Sequence, residues 1–153
     1  IAKNVAEEYT GQSLSDKNLI FKVEANASVI GGPSAGSALA IATIAAVQGD
    51  KLRPDVMITG SVNHDGTIGP VGGIVEKANA AKLTGANLFL VPLLQGTEVL
   101  YEQREHCELY GGVEFCSIET VPKKVSVSGE AGINIEEVQT IGDAYGYFVS
   151  QTA

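Results

Sequence analysis

The chain has 153 residues, of which 44% are hydrophobic and 18% are charged, and this composition is sufficient for one domain with a sizeable core. Its ten Lys and Arg residues are outnumbered by eighteen Asp and Glu residues, so the formal net charge at pH 7 is −8. Such an acidic chain lacks the positive surface that nucleic acids and anionic membranes require, and we expect no nucleic-acid partner.

The first third of the chain predicts two helices and one strand. Apolar residues recur at helical spacing over residues 1–10 and are followed by Gly11, which is typical of a helix with one packed face. Leu19, Phe21 and Val23 alternate with Ile20, Lys22 and Glu24, which predicts a strand. Residues 34–48 are apolar nearly all round and end at Gly49, which predicts a helix in the middle of the core.

The middle of the chain predicts a hairpin followed by a helix. Residues 56–61 and 67–71 have strand-like patterns, and residues 63–66 between them have strong turn chemistry. After Gly72 and Gly73, apolar residues indicate a helix that ends near Gly85.

The remaining predictions are a strand over 87–94, a helix over 98–106 with Thr97 as its N-cap, a strand over 113–118, a loop over 121–132, and a closing helix over 135–148. Helices that alternate with strands, together with a hairpin, favour the α+β class. We therefore expect one domain over residues 1–153 with helices packed on a mixed β-sheet.

The ends of the chain leave its localisation open. The longest apolar run, residues 38–47, is shorter than the approximately 20 residues that span a bilayer. Charged residues among the first twenty exclude an apolar signal core there. Because the chain lacks an initiator Met, we expect it to be a fragment or a processed form, and targeting or anchoring segments could have been lost.

Two cysteines, Cys107 and Cys116, are too few for a disulfide scaffold or a four-ligand zinc site. They can form one bridge across the turn at Gly111 and Gly112, or they can be free thiols, and we favour free thiols. Acidic residues and histidines do not cluster at ligand spacing, so we expect no metal or organic cofactor.

Ser34 stands at the predicted start of the central helix, among residues that have almost no side chain. Small neighbours let another backbone approach closely, and the first free amides of a helix attract oxygen atoms. Ser34 is therefore placed either as an N-cap or as a nucleophile.

A nucleophilic serine needs a base. His64 lies in a predicted turn and His106 near the end of a predicted surface helix, so neither is expected to be enclosed. A lysine can replace histidine where apolar surroundings and a helix N-terminus disfavour its charged form, and Lys77 has that position. The alternative is that Lys77 pairs with Glu76 or extends into solvent, as we expect Lys82 to do.

Three sequence blocks resemble the proteolytic domain of Lon proteases: residues 32–36 (GPSAG), 57–60 (MITG) and 66–77 (GTIGPVGGIVEK). They occur in the order found in that family, and the interval of 43 positions from Ser34 to Lys77 suits its Ser–Lys dyad. Residues 5–11 and 23–27 are most similar to archaeal Lon-like serine proteases that lack a fused ATPase. The resemblance covers roughly residues 1–118 and the final helix.

The resemblance implies roles for four residues. Ser34 is the nucleophile, and Lys77 is the general base that takes its proton and returns it to the leaving amine. Thr59 matches the threonine that orients the lysine amine, although an ordinary strand residue is the alternative. The backbone amides around Ser34 and Ala35 are the oxyanion donors.

Gly31 is a departure from the family, because many Lon domains have an acidic residue three positions before the serine. We therefore predict a plain dyad rather than a Ser–Lys–Asp triad. Glu24 and Asp65 are the other carboxylates weighed for that role, and nothing in the sequence favours them.

The resemblance implies a serine endopeptidase that cleaves unfolded proteins or peptides through an acyl-enzyme, without its own ATPase, as a hexameric ring. Membrane anchoring is implied only through segments that the chain does not include. Two alternatives remain. One is a non-catalytic assembly domain. The other is a small-molecule kinase of the GHMP type, because the GHMP fold is related to that of Lon proteolytic domains and residues 31–40 resemble the GHMP phosphate loop.

Overall fold

The computed structural model of the chain describes residues 1–24 and 32–149. The helices are α1 (Ala2–Thr10), α2 (Gly36–Gln48), α3 (Ile74–Leu83), α4 (Val127–Ala131) and α5 (Ile141–Val149), and a 3-10 turn covers Pro33–Ala35. The strands are β1 (Val56–Ile58), β2 (Ser61–Val62), β3 (Ile68–Gly69), β4 (Leu88–Pro92), β5 (Thr97–Tyr110), β6 (Val113–Ser126) and β7 (Asn134–Val138).

The central sheet has three parallel strands in the order β1-β4-β7. Antiparallel pairing is confined to two separate two-stranded sheets, β2-β3 and β5-β6. Helices and sheets are combined as expected, but the prediction of one mixed sheet is wrong for the described residues. The reason is that β4 is apolar along its whole length, which suits a central parallel strand that is buried on both faces.

The two faces of β4 belong to two different cores. Leu90 packs with α1, α2 and α5 in the first core, whereas Phe89 and Val91 pack with α3 and α4 in the second. Side chains alternate across a strand, so neighbouring residues of β4 enter opposite cores. The sheet is therefore a layer between two sets of helices.

The helices α1, α2 and α3 confirm the predictions made from periodicity. Gly11 and Gly49 end α1 and α2 in the left-handed conformation, with φ of 67° and 74°. Within α2, Ile41 and Ile44 are almost fully buried, as expected for a helix in the middle of the core.

The predicted hairpin over residues 56–71 is divided in the structure. β1 leaves to join the parallel sheet, and only β2 and β3 form the antiparallel pair. Gly60 separates β1 from β2, with φ of 149°. A chain can change direction at such a residue, since glycine has no Cβ to oppose it.

Residues 19–24 do not form the predicted strand. Leu19 packs against the first core, but Phe21 is 46% exposed and Val23 is 57% exposed, so the alternating apolar side chains do not form a continuous buried face. A strand needs a neighbour that satisfies its backbone groups, and no pairing reaches this segment among the described residues.

The predicted helix over 98–106 is also wrong, because these residues belong to β5. Strands β5 and β6 pair in continuous register from Thr97 opposite Ser126 to Tyr110 opposite Val113. The turn residues Gly111 and Gly112 have φ of 59° and 82°, the backbone that a two-residue hairpin turn requires.

The long hairpin corrects three neighbouring predictions. Thr97 begins a strand rather than capping a helix, and the predicted strand over 113–118 is only the outer part of β6. The predicted loop over 121–132 is the inner part of β6 followed by α4.

Cys107 and Cys116 form a disulfide, so the expectation of free thiols is wrong. The register of the hairpin places them directly opposite each other, with their Cα atoms 4.1 Å apart. The short Gly-Gly turn sets this register.

The predicted closing helix over 135–148 is a strand and a shorter helix. The side chain of Thr140 accepts a hydrogen bond from the Asp143 amide, and the Asp143 carboxylate accepts one from the Thr140 amide. This reciprocal capping starts α5 at Ile141. Of the helices in the described part of the chain, none has the length and apolar character needed to cross a membrane.

Candidate active site

The four residues proposed from the sequence line a single cavity of about 430 Å³: Ser34, Ala35, Thr59 and Lys77. The rest of its described lining is mostly apolar and consists of Ala38, Met57, Ile58, Ala80, Ala81, Thr84 and Phe89. Two residues that are 43 positions apart in the chain thus line one open cavity at the surface.

Ser34 lies in the 3-10 turn that leads into α2. The N-cap of α2 is Ala35, and no side chain caps this helix. The alternative in which Ser34 serves as the N-cap is therefore not what the structure has. Ser34 is half-buried and is part of the cavity lining.

Backbone hydrogen bonds connect the serine turn to the chain that follows β1. The Gly60 amide donates to the Ser34 carbonyl at 3.0 Å, and the Ser37 amide donates to the Gly60 carbonyl at 3.0 Å. A Cβ on Gly60 would lie 2.5 Å from Ile68 Cγ2. Any side chain at position 60 would therefore clash with Ile68. The two backbone hydrogen bonds of Gly60 hold the Ser34 turn next to Thr59.

Thr59 is buried, with 4% of its surface exposed, and its amide donates to the Leu90 carbonyl at 3.0 Å. It follows the last residue of β1 and is fixed to the neighbouring strand β4. This hydrogen bond to β4 fixes the position of Thr59 in the cavity lining.

Lys77 lies in the first turn of α3, where its amide donates to the Gly73 carbonyl at 3.1 Å. It is half-buried and is the only charged residue in the described lining of the cavity. No ion pair joins it to Glu76 or to any other carboxylate in the described ranges. By contrast, Lys82 on the same helix is exposed, as expected.

The other carboxylates weighed for the site lie elsewhere. Asp65 accepts two hydrogen bonds from Thr67, which hold the pKa of Asp65 below its ordinary value, and it lines a different cavity. Glu24 is exposed and pairs with Lys22 at 2.6 Å. Gly31 lies outside the described residues.

The two histidines do not line the cavity either. His64 is in the turn before β3, and His106 is on the exposed hairpin beside Glu108 at 2.9 Å. The predicted helix around His106 was wrong, but the conclusion that this residue is not enclosed is confirmed.

Sequence reasoning missed the apolar wall that Met57, Ala80 and Phe89 form. Met57 is half-buried and Ala80 is exposed, whereas Phe89 is buried, so the hydrophobic pattern does not group these three residues. The hairpin provides the only group of potential metal ligands in the described part of the chain, namely Glu105, Cys107 and Cys116. The sulfur atoms of Cys107 and Cys116 are bonded to each other, so they are not thiolates that could bind a metal ion.

The family model for the Lon protease (S16) C-terminal proteolytic domain matches residues 2–121. The Lon protease of Haemophilus influenzae is 31% identical over 128 residues, which cover 67% of this chain and 16% of that protein. The archaeal Lon protease of Archaeoglobus fulgidus is 30% identical over 88 residues, which cover 58% of this chain and 14% of that protein.

Lon protease 2 of Syntrophobacter fumaroxidans is 35% identical over 85 residues, which cover 56% of this chain and 11% of that protein. The chain thus spans between 11% and 16% of the length of these three relatives. The resemblance seen in the sequence blocks is confirmed. Since the family model covers well over half of its residues, the chain belongs to the family of Lon protease proteolytic domains.

Proposed function

We propose that the chain is a serine endopeptidase domain in which Ser34 is the nucleophile and Lys77 is the general base. The observation that carries the proposal is the shared cavity, whose described lining includes both residues and no other charge. A lysine amine can act as the general base for a serine nucleophile, in the place that histidine takes in other serine hydrolases.

In the proposed reaction, the Ser34 oxygen attacks the substrate carbonyl carbon while Lys77 Nζ takes the hydroxyl proton. Lys77 then gives that proton to the departing amine, and an acyl-serine remains. A water molecule, with Lys77 again as base, hydrolyses this ester. Thr59 orients the lysine amine, and the Ala35 amide donates to the oxyanion.

The substrate we propose is an extended polypeptide. A second cavity of about 580 Å³ lies beside the same turn and is lined by Pro33 and Gly36, together with Leu19, Phe21 and Val62. The lining of this second cavity is mostly apolar and also includes Lys3 and Lys17. Mostly apolar space on both sides of the serine turn suits the side chains of an unfolded chain. The hydrolysis itself needs no nucleotide, and the resemblance to Lon domains supports a hexameric ring.

The test is cleavage of fluorescently labelled, unfolded casein without nucleotide by the wild type, Ser34→Ala and Lys77→Ala. Each substitution is expected to lower kcat by at least about a thousandfold. The matched controls are Ser117→Ala and Lys82→Ala, which remove exposed side chains and should leave activity unchanged. A folded wild type without activity, or an active Ser34→Ala variant, would refute the dyad, and an inactive folded wild type would favour the assembly-domain alternative.

A further inference from the structure

The start of α3, the helix that carries Lys77, is held by a carboxylate from the base of the hairpin. Glu98 Oε1 accepts a hydrogen bond from the Ile74 amide at 3.2 Å, and Glu98 Oε2 accepts one from the Val75 amide at 2.9 Å. Gly73 is the N-cap of α3 and has no side chain that could satisfy these amides. A residue 23 to 24 positions away thus does the capping.

The loop before α3 is held in a similar way by Gln95. Its Oε1 accepts from the Val71 amide at 3.0 Å, and its Nε2 donates to the Val71 carbonyl at 2.6 Å. The side-chain amide thus pairs with the backbone as a neighbouring strand would. We call Gln95 and Glu98 together the helix clamp.

The segment that supplies the helix clamp is itself fixed at a cost in backbone strain. Leu94 has φ of 68°, although leucine disfavours this region and the side chain is 80% exposed. Next to it, the Gly96 amide donates to Glu137 at 3.0 Å, and the Gly96 carbonyl accepts from the Val127 amide at 3.0 Å. The helix clamp is therefore tied to β7 and α4.

We propose that the helix clamp positions Lys77, a role that rests on the proposed function. Gly72 and Gly73 allow the loop many conformations, so nothing local fixes where α3 begins. Lys77 is in the first helical turn, and its own amide depends on the Gly73 carbonyl. A shift of the helix start therefore moves the amine relative to Ser34, and displacements of about 1 Å cost roughly a hundredfold in rate.

The first test measures kcat and KM of casein cleavage for Glu98→Ala, Glu98→Gln and Gln95→Ala. We expect Glu98→Ala to lower kcat by about ten- to a hundredfold with KM within about twofold, since the serine and the substrate cavities are unchanged. Glu98→Gln keeps an accepting oxygen and should recover most of kcat. The matched control, Glu119→Ala, removes an exposed carboxylate from the same hairpin and should have no effect.

The second test is independent of activity and measures amide hydrogen exchange. Glu98→Ala should accelerate exchange at Ile74, Val75 and Lys77 while the amides of α2 keep their protection. A second variant, Val5→Ala, destabilises the other core and should lower the thermal midpoint without lowering kcat.

The outcomes separate the two proposals. An active wild type whose kcat is unchanged in Glu98→Ala overturns the positioning role and leaves the proposed function intact. A wild type without peptidase activity overturns the proposed function and the positioning role with it, whatever the exchange data show. If Val5→Ala lowers kcat as much as Glu98→Ala, loss of stability explains both variants and the positioning role is overturned.

Discussion

Gly60→Ala is expected to destabilise the fold by about 2–5 kcal/mol. The added Cβ would lie 2.5 Å from Ile68 Cγ2, and overpacking of this kind costs about 1–3 kcal/mol. At φ of 149°, an L-residue also adds roughly 1–2 kcal/mol of backbone strain. Any shift that relieves the clash weakens the two backbone hydrogen bonds that join Gly60 to Ser34 and Ser37.

The assay is urea denaturation followed by circular dichroism, with Gly146→Ala as the matched control. Gly146 lies in α5, and a Cβ at this position would meet no atom from outside its own helical turn within 4 Å. That substitution should stabilise the fold by about 0.5–1 kcal/mol because alanine is the better helix former. If Gly60→Ala is as stable as the wild type to within about 0.5 kcal/mol, the close approach described around Gly60 is incorrect.

Three further predictions concern the hairpin, the loop before it and the buried Tyr145. Replacing Cys107 and Cys116 with Ser should speed proteolysis of the hairpin severalfold while the urea midpoint of the core changes little, since an isolated two-stranded hairpin is marginally stable. Leu94→Asn should raise the free energy of unfolding by about 0.5–1 kcal/mol, because Asn tolerates positive φ and little packing is lost. Burial raises the pKa of Tyr145, so only the unfolded chain ionises this group just above pH 10, and stability should fall there. Tyr145→Phe should flatten that alkaline decline in urea titrations across pH 8–11.

The sequence was sufficient where local chemistry decides the structure. Helix α2 follows from its apolar composition and Gly49. The three blocks that resemble Lon domains predict that Ser34, Thr59 and Lys77 belong together, and these residues line one cavity. The prediction from sequence was wrong for β5, because its Glu, Leu, Gln and Arg residues favour a helix by intrinsic propensity. The Gly-Gly turn and the partner strand override that preference.

The contact between Glu98 and α3 could not be predicted, since it depends on the position of the hairpin base relative to a distant helix. The same holds for the apolar cavity wall, because burial patterns do not distinguish a packed side chain from one that borders an empty space. Local pattern identifies candidate groups, and only the tertiary arrangement shows which of them meet.

The two-core arrangement has a consequence for the distance between Ser34 and Lys77. The serine turn leads into α2, which packs in the first core, whereas Lys77 is on α3, which packs in the second. Their separation therefore depends on the thickness of the sheet between those helices. Leu90 points from β4 into the first core and does not line the cavity, so a change of its volume would alter the distance between hydroxyl and amine without touching either group. The geometry of the candidate dyad therefore depends on how side chains pack around β4.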